Sequence, residues 1–163
     1  MWRARRSSPR CSPCARSFER QGIDAEAAGR RRGRRGKDLD LNSISGDIID
    51  AAMTVHSRLG PGLLESAYEA CLEYELKIRG HAVARQVALP VIYDEIEIAA
   101  AYRIDLLVDN HVIVELKTVN KLSDLHEAQL LSYLKLSGKK LGLLINFNVP
   151  RLKDGIKRKV NRL

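Results

Sequence analysis

Two carboxylates and a lysine in this 163-residue chain have the types and spacing to do chemistry together. They lie between Tyr102 and Val119, where two β-type apolar runs flank the tight-turn signal Asp109-Asn110, the pattern of a hairpin. Ile104, Leu106 and Val108 fall on one face of the first run, and Val112, Val114 and Leu116 on one face of the second. Superimposing the apolar faces sets Val108 opposite Val112, Leu106 opposite Val114 and Ile104 opposite Leu116, across a three-residue loop Asp109-Asn110-His111. A two-residue loop would shift the parity and set the apolar faces against each other. The register then puts Asp105 across from Glu115, with Lys117 on the same face two positions on and opposite Arg103. Carboxylates with Cβ atoms about 5 Å apart repel unless a proton or a cation is shared between them. A divalent ion is one such cation: Mg²⁺, or Mn²⁺ in its place, prefers oxygen ligands and commonly uses one or two carboxylates with a substrate phosphate. A lysine beside the pair can hold an attacking water and offset phosphate charge. The residues alone leave a second reading open, in which Asp105 and Glu115 pair with Arg103 and Lys117 as a charge network on a solvated sheet face.

The elements that must position these residues follow from period and punctuation. From Ser45, read as an N-cap, Ile48, Ile49, Ala52, Met53 and Val55 keep a helical period up to the breaker Gly60-Pro61-Gly62. A second helix is expected from Leu63 to Arg79, with Leu64, Ala67, Tyr68, Cys71, Leu72, Tyr74 and Leu76 as its buried stripe and Gly80 as its stop. The period then becomes β-like. Val83 to Ile98, punctuated by Pro90 and Asp94-Glu95, followed by Tyr102 to Val108 and Val112 to Val119, gives three or four antiparallel strands. A third helix is expected from Ser123 to about Leu136, closed by Gly138, and Leu141 to Phe147 reads as a strand buried on both faces.

Several of these segments carry a resemblance to a known family. Asp105 with Glu115-Leu116-Lys117 resembles the D…(D/E)xK signature of the PD-(D/E)xK nuclease superfamily, with Ile104 where that name has proline. Gly62-Leu63-Leu64-Glu65-Ser66-Ala67-Tyr68 is similar to the GxxExxY motif that names a small family within it. Gln86 with Leu89-Pro90-Val91, the QxxxY element Gln129 to Tyr133, and Gly142 to Phe147 extend the likeness over about Ser43 to Arg158. The resemblance implies an α/β, restriction-endonuclease-like core with a mixed central sheet flanked by helices. It also implies a metal-dependent nuclease acting on DNA or RNA. Asp105, Glu115 and Glu65 would be the metal-site acids, the Leu116 carbonyl would add a contact, and Lys117 would assist the water. Gln129 and Tyr133, one helical turn apart, would support substrate or the acids, as would Tyr68 and Arg103. Glu65 would stand at the start of its helix while Leu64, Ala67 and Cys71 pack inward. Without the resemblance, Glu65 reads as a first-turn glutamate favoured by the helix dipole. His111 and His126 are expected at the surface. The other functions the residues allow are a noncatalytic nucleic-acid-binding or complex-assembly module on the same fold and a protein-interaction domain whose acidic pair is structural.

Composition bounds these readings. The length suits one compact domain and excludes a two-domain enzyme with a large substrate lobe. No apolar stretch approaches the ~18 residues of a membrane span, so a cytoplasmic chain with no membrane partner is expected. Residues 1–37 hold 12 Lys+Arg and three acids, a net +9, and the other residues hold 16 against 17, a net −1. The basic excess therefore belongs to a tail, residues 1–41, expected to be disordered, and the nuclease-like domain to residues 42–163. Cys11 and Cys14 form a lone CxxC with no second ligand pair, and Cys71 stands apart, so reduced thiols rather than zinc are expected. Arg151, Lys153, Lys157, Arg158, Lys159 and Arg162 suit phosphate contact or, equally, the solvated face of a terminal helix. A domain this small offers little surface for reading sequence, so any specific cleavage is expected to need a second copy or an accessory protein.

Overall fold

The structure, a computed structural model, describes residues 40–162. The basic arm and the Cys11/Cys14 pair fall almost wholly outside the described residues.

Helix α1 spans Leu41–Leu59. It starts four residues before the expected cap because Asp40 takes that role, its side chain accepting the Asn42 N–H at 3.0 Å. Ser45 is instead buried inside the helix and donates to the Asn42 carbonyl at 3.0 Å. Gly60, at φ 68°, stops the helix in a conformation that glycine adopts without penalty. Helix α2 follows at Glu65–Ile78, then strands β1 at Val83–Tyr93, β2 at Ile96–Val108 and β3 at Val112–Lys117. Three strands thus form where three or four were expected. Helix α3, Asp124–Ser137, leads to β4, Leu141–Asn146. A 3₁₀ turn at Leu152–Gly155 then enters β5, Ile156–Val160. The C-terminal cations therefore lie before, on and just after an edge strand, not on a terminal helix. The unpaired side of β4 offers a ladder that a solvated helix could not use.

The five strands among the described residues lie in the order β1-β2-β3-β4-β5. All neighbours are antiparallel except β3 and β4, which run parallel with α3 as the crossover. Helices α1 and α2 cover one face of the sheet. Ile48, Ala52, Tyr68, Leu72 and Leu76 pack there against Val112, Val114, Leu116, Leu143 and Ile145. The other face is covered by α3, whose Leu130, Tyr133 and Leu134 meet Ile113 and Leu144. Residues of opposite parity in β3 and β4 thus enter opposite cores, and β4 is buried throughout, as its unbroken apolar run requires.

Two packing expectations are corrected. The inward stripe of α2 is Tyr68, Glu69, Leu72, Glu75 and Leu76, whereas Leu64 is 77% exposed and Tyr74 64%. The cause is that Leu64 precedes the first helical turn and so lies outside the period. Ile104 does not share a core with Leu106 and Val108 but packs with the α3 side. Strand β2 therefore changes faces at Asp105.

Candidate active site at the end of strand β3

The hairpin register argued from parity is present: Val108 pairs with Val112 and Leu106 with Val114, across the loop Asp109-Asn110-His111. Asp109 and Asn110 take φ of 51° and 60°, the left-handed values that Asx residues tolerate best. The ladder ends at Leu106–Val114, short of Asp105 and Glu115. Past that point the Asp105 side chain replaces a backbone partner: its Oδ2 accepts the Leu116 N–H at 2.8 Å. On its other side β3 stays paired to β4, with Glu115 beside Leu144 and Lys117 beside Asn146. Arg103 pairs instead with Ala88 of β1 and is exposed, so the expected opposition to Lys117 does not form.

The acids do not lie on a solvated face. Glu115 is only 2% exposed. Its Oε1 accepts Lys117 Nζ at 2.7 Å and Gln129 Nε2 at 3.2 Å, while its buried Oε2 has no hydrogen-bond partner among the described residues. Burial, with the charge of Asp105 beside it, pushes the Glu115 carboxyl up to about 7 against the opposing pull of Lys117. Asp105 is also raised, mainly by burial and further by Glu69 and Glu65, with the Leu116 N–H and Lys117 working the other way. Burial disfavours the charged form of Lys117, but the Glu115 hydrogen bond and the acids Glu115, Glu65 and Asp105 outweigh it and hold its ammonium protonated. A lysine so held is a donor and a counter-charge rather than a base.

Three further elements converge on this strand end. Glu65, the first residue of α2, accepts the Thr118 N–H on Oε1 at 3.0 Å, which brings it beside the residue following Lys117. From α3, Gln129 reaches Glu115 and also donates to the Tyr133 hydroxyl at 2.6 Å. Tyr133 is raised, chiefly by burial. From the end of β4, buried Asn146 donates to the Val119 carbonyl at 2.7 Å and accepts the Val119 N–H at 3.1 Å, pinning the loop that leaves the site. Tyr68 lies one layer back. Fully buried and stacked on Phe147 at 4.3 Å, it donates to the Gly60 carbonyl at 2.6 Å and accepts the Leu63 N–H at 3.2 Å. It thereby shapes the turn that launches Glu65. His126 is spent on the start of α3, its Nδ1 accepting the Ser123 N–H at 3.2 Å.

Glu65, Asp105, Glu115, Lys117, Gln129 and Tyr133 are thus gathered around one strand end, with Tyr68 behind them and Arg103 set apart. The sequence reading gives Glu69 and Asn146 no role of their own. Glu69 follows Glu65 by one helical turn, and Asn146 interrupts an otherwise apolar strand; both signals were available. Among the described residues, no three His, Cys, Asp or Glu side chains form a ready-made ion site. What the site offers is two carboxylates, one with a buried oxygen lacking a partner. That donor set fits a hard divalent ion that keeps water and phosphate oxygens as its other ligands.

The site thus sets an acid pair and a lysine at the end of a central strand, in a mixed sheet that lies between helical layers. The family model that matches residues 42–159 is that of the PD-(D/E)XK nuclease superfamily. The chain belongs to the PD-(D/E)XK nuclease superfamily, and its fold is restriction-endonuclease-like. No curated protein and no solved structure shows significant similarity to it. Members of the superfamily are generally nucleases that use divalent metals and act on nucleic acid. No helix among the described residues is long and apolar enough to cross a membrane.

Proposed function

We propose that this protein is a metal-dependent nuclease of the GxxExxY type that hydrolyses phosphodiester bonds in DNA or RNA. The observation that carries the reading is the buried Glu115 Oε2 beside Asp105, without a hydrogen-bond partner among the described residues, an arrangement that costs stability unless a proton or a cation is shared there. Asp105, Glu115 and the Leu116 carbonyl would hold Mg²⁺ or Mn²⁺, with Glu65 taking a water of the ion. When bound, such an ion supplies a more acidic water and neutralises charge on the scissile phosphate. The chain's own residues do the rest. Lys117, kept protonated by its acid neighbours, holds the attacking water and offsets phosphate charge. Gln129 fixes the Glu115 carboxylate from the helix side and is itself held by Tyr133. Asp105 is oriented by the Leu116 N–H, which leaves its second oxygen for the ion.

The test is cleavage of plasmid and single-stranded substrates in Mg²⁺, run beside Mg²⁺ calorimetry on wild type, Asp105→Ala, Glu115→Ala and Lys117→Ala. Wild type is expected to bind the ion and cut. Each substitution is expected to lower cleavage about 10²-fold or more, and only the two acid substitutions should remove ion binding. A folded wild type indifferent to Mg²⁺ and inert on both substrates would leave a noncatalytic binding module as the function.

A further inference from the structure

Arg85 and Gln86 are consecutive in β1, and in a regular strand their side chains would point to opposite faces of the sheet. Both reach the same carboxylate. Glu69 of α2, buried, accepts Arg85 Nε at 2.9 Å on Oε1 and Gln86 Nε2 at 2.9 Å on Oε2. This is feasible because the Gln86 backbone is left-handed, at φ 51°, a conformation that side-chain-bearing residues seldom adopt within a strand.

The position of this residue gives it a consequence for the site. Arg85 pairs with Leu106 and Val87 with Ile104, so Gln86 stands opposite Asp105. On one side of that step Val83, Leu106 and Val108 pack with the α1 and α2 core. On the other, Val87, Leu89 and Ile104 pack with the α3 core. A single left-handed residue in a strand acts as a bulge does, twisting the pair locally and re-aiming the neighbouring side chains. Beyond the same step β2 leaves β3, and the Leu116 N–H that β2 no longer meets is taken by the Asp105 carboxylate.

We propose that Gln86 is a positioning residue for Asp105: its left-handed backbone, braced by Glu69, turns the β1–β2 pair so that the Asp105 carboxylate meets the Leu116 N–H beside Glu115. The functional consequence rests on the nuclease reading, while the positioning itself does not. Position 86 acts through its backbone, so a residue at ease in the left-handed region preserves the site and one excluded from it does not.

The experiment uses the full chain with Gln86→Gly and Gln86→Val. It reads amide hydrogen exchange at Leu116 without metal, and then Mg²⁺ affinity by calorimetry. Gln86→Gly is expected to keep both within about two-fold of wild type, since glycine takes positive φ freely. Gln86→Val is expected to lose protection at Leu116 while the β3–β4 ladder stays protected, and to bind Mg²⁺ about 10–100-fold more weakly. Gln86→Asn, which tolerates the left-handed region, should behave as the glycine variant does. Wild-type protection of Leu116 in Gln86→Val would overturn the proposal, as would equal loss in the glycine and valine variants. If Gln86→Val does not fold, Gln86→Ala decides: reduced Leu116 protection supports the proposal and unchanged protection overturns it. The exchange measurement needs neither ion nor substrate. A wild type that fails to bind Mg²⁺ would therefore sink the nuclease reading while leaving the exchange result to judge Gln86.

Discussion

Glu115 gathers the opposing forces of this site in one side chain. Lys117 and Gln129 stabilise its charged form through one oxygen, while burial and Asp105 destabilise it through the rest of the group. Its carboxyl is raised in the folded state from 4.5 to about 7. Between those two values the native state binds more protons than the unfolded chain, so stability falls as pH rises across the window. Glu115→Gln removes that titration. In urea unfolding with a chelator present, the stability difference between variant and wild type should move in the variant's favour by about 1–3 kcal/mol from pH 4.5 to pH 7. A difference that stays flat across the window would mean that the raised carboxyl is not Glu115. Adding Mg²⁺ above pH 7 should restore the wild type's relative position, because a bound cation favours the charged form.

The elements matter through their closest approaches. Helix α3 can bring Gln129 to Glu115 because β4 carries Gly142 beneath Leu130: a Cβ built there would lie 2.8 Å from Leu130 Cδ1. Gly142→Ala should force the buried Leu130 side chain to shift, costing about 1–3 kcal/mol in chemical denaturation and disturbing the Gln129–Glu115 contact next to it. Helix α2 is held just as specifically. Glu75, 8% exposed, accepts Arg58 of α1 and Arg79, which caps the end of α2, each at 2.7 Å. Glu75→Ala leaves two arginines without their shared acid at the α1–α2 seam. The expected loss is about 1–3 kcal/mol, read as a lower urea midpoint at an unchanged slope.

Across the whole domain the charge is polarised. Residues 42–138 carry eight Lys+Arg against 14 acids, a net −6, whereas residues 139–163 carry eight against one, a net +7. Pairing of β5 beside β4 sets Lys157 and Lys159 opposite Leu144 and Gly142, on the α3 face that also holds Glu115 and Lys117. Lys159 is engaged by Glu127 of α3, while Lys157 and Lys153 are exposed. A nucleic acid approaching the proposed site would meet acids at the strand end and cations along this edge. Lys153→Ala and Lys157→Ala should each lower the slope of log affinity against log salt by about one, measured by anisotropy without divalent metal. Arg58→Ala, whose arginine is held by Glu75, should leave the slope unchanged. Equal slopes in all three variants would place the nucleic acid elsewhere.

Local order was legible in the sequence because it depends on near neighbours. The breaker Gly60-Pro61-Gly62 divides α1 from α2, the unbroken apolar run of Leu141 to Phe147 makes a doubly buried strand, and period-two alternation with Asp109-Asn110 sets the hairpin register. The positions of Asp105, Glu115 and Lys117 along β2 and β3 follow from the same local rules. What required the tertiary structure involves partners distant along the chain. Glu65 meets Thr118 only because α2 packs on the sheet. The cations after Asp154 enter a strand only because β4 has an unpaired side. The change of cores at Asp105 turns on a left-handed glutamine that no periodicity announces, since its conformation is stabilised by Glu69 on another element. Backbone preference and hydrophobic period act over a few residues, whereas burial, edge pairing and the sharing of a carboxylate are decided by whichever segments the folded chain brings together.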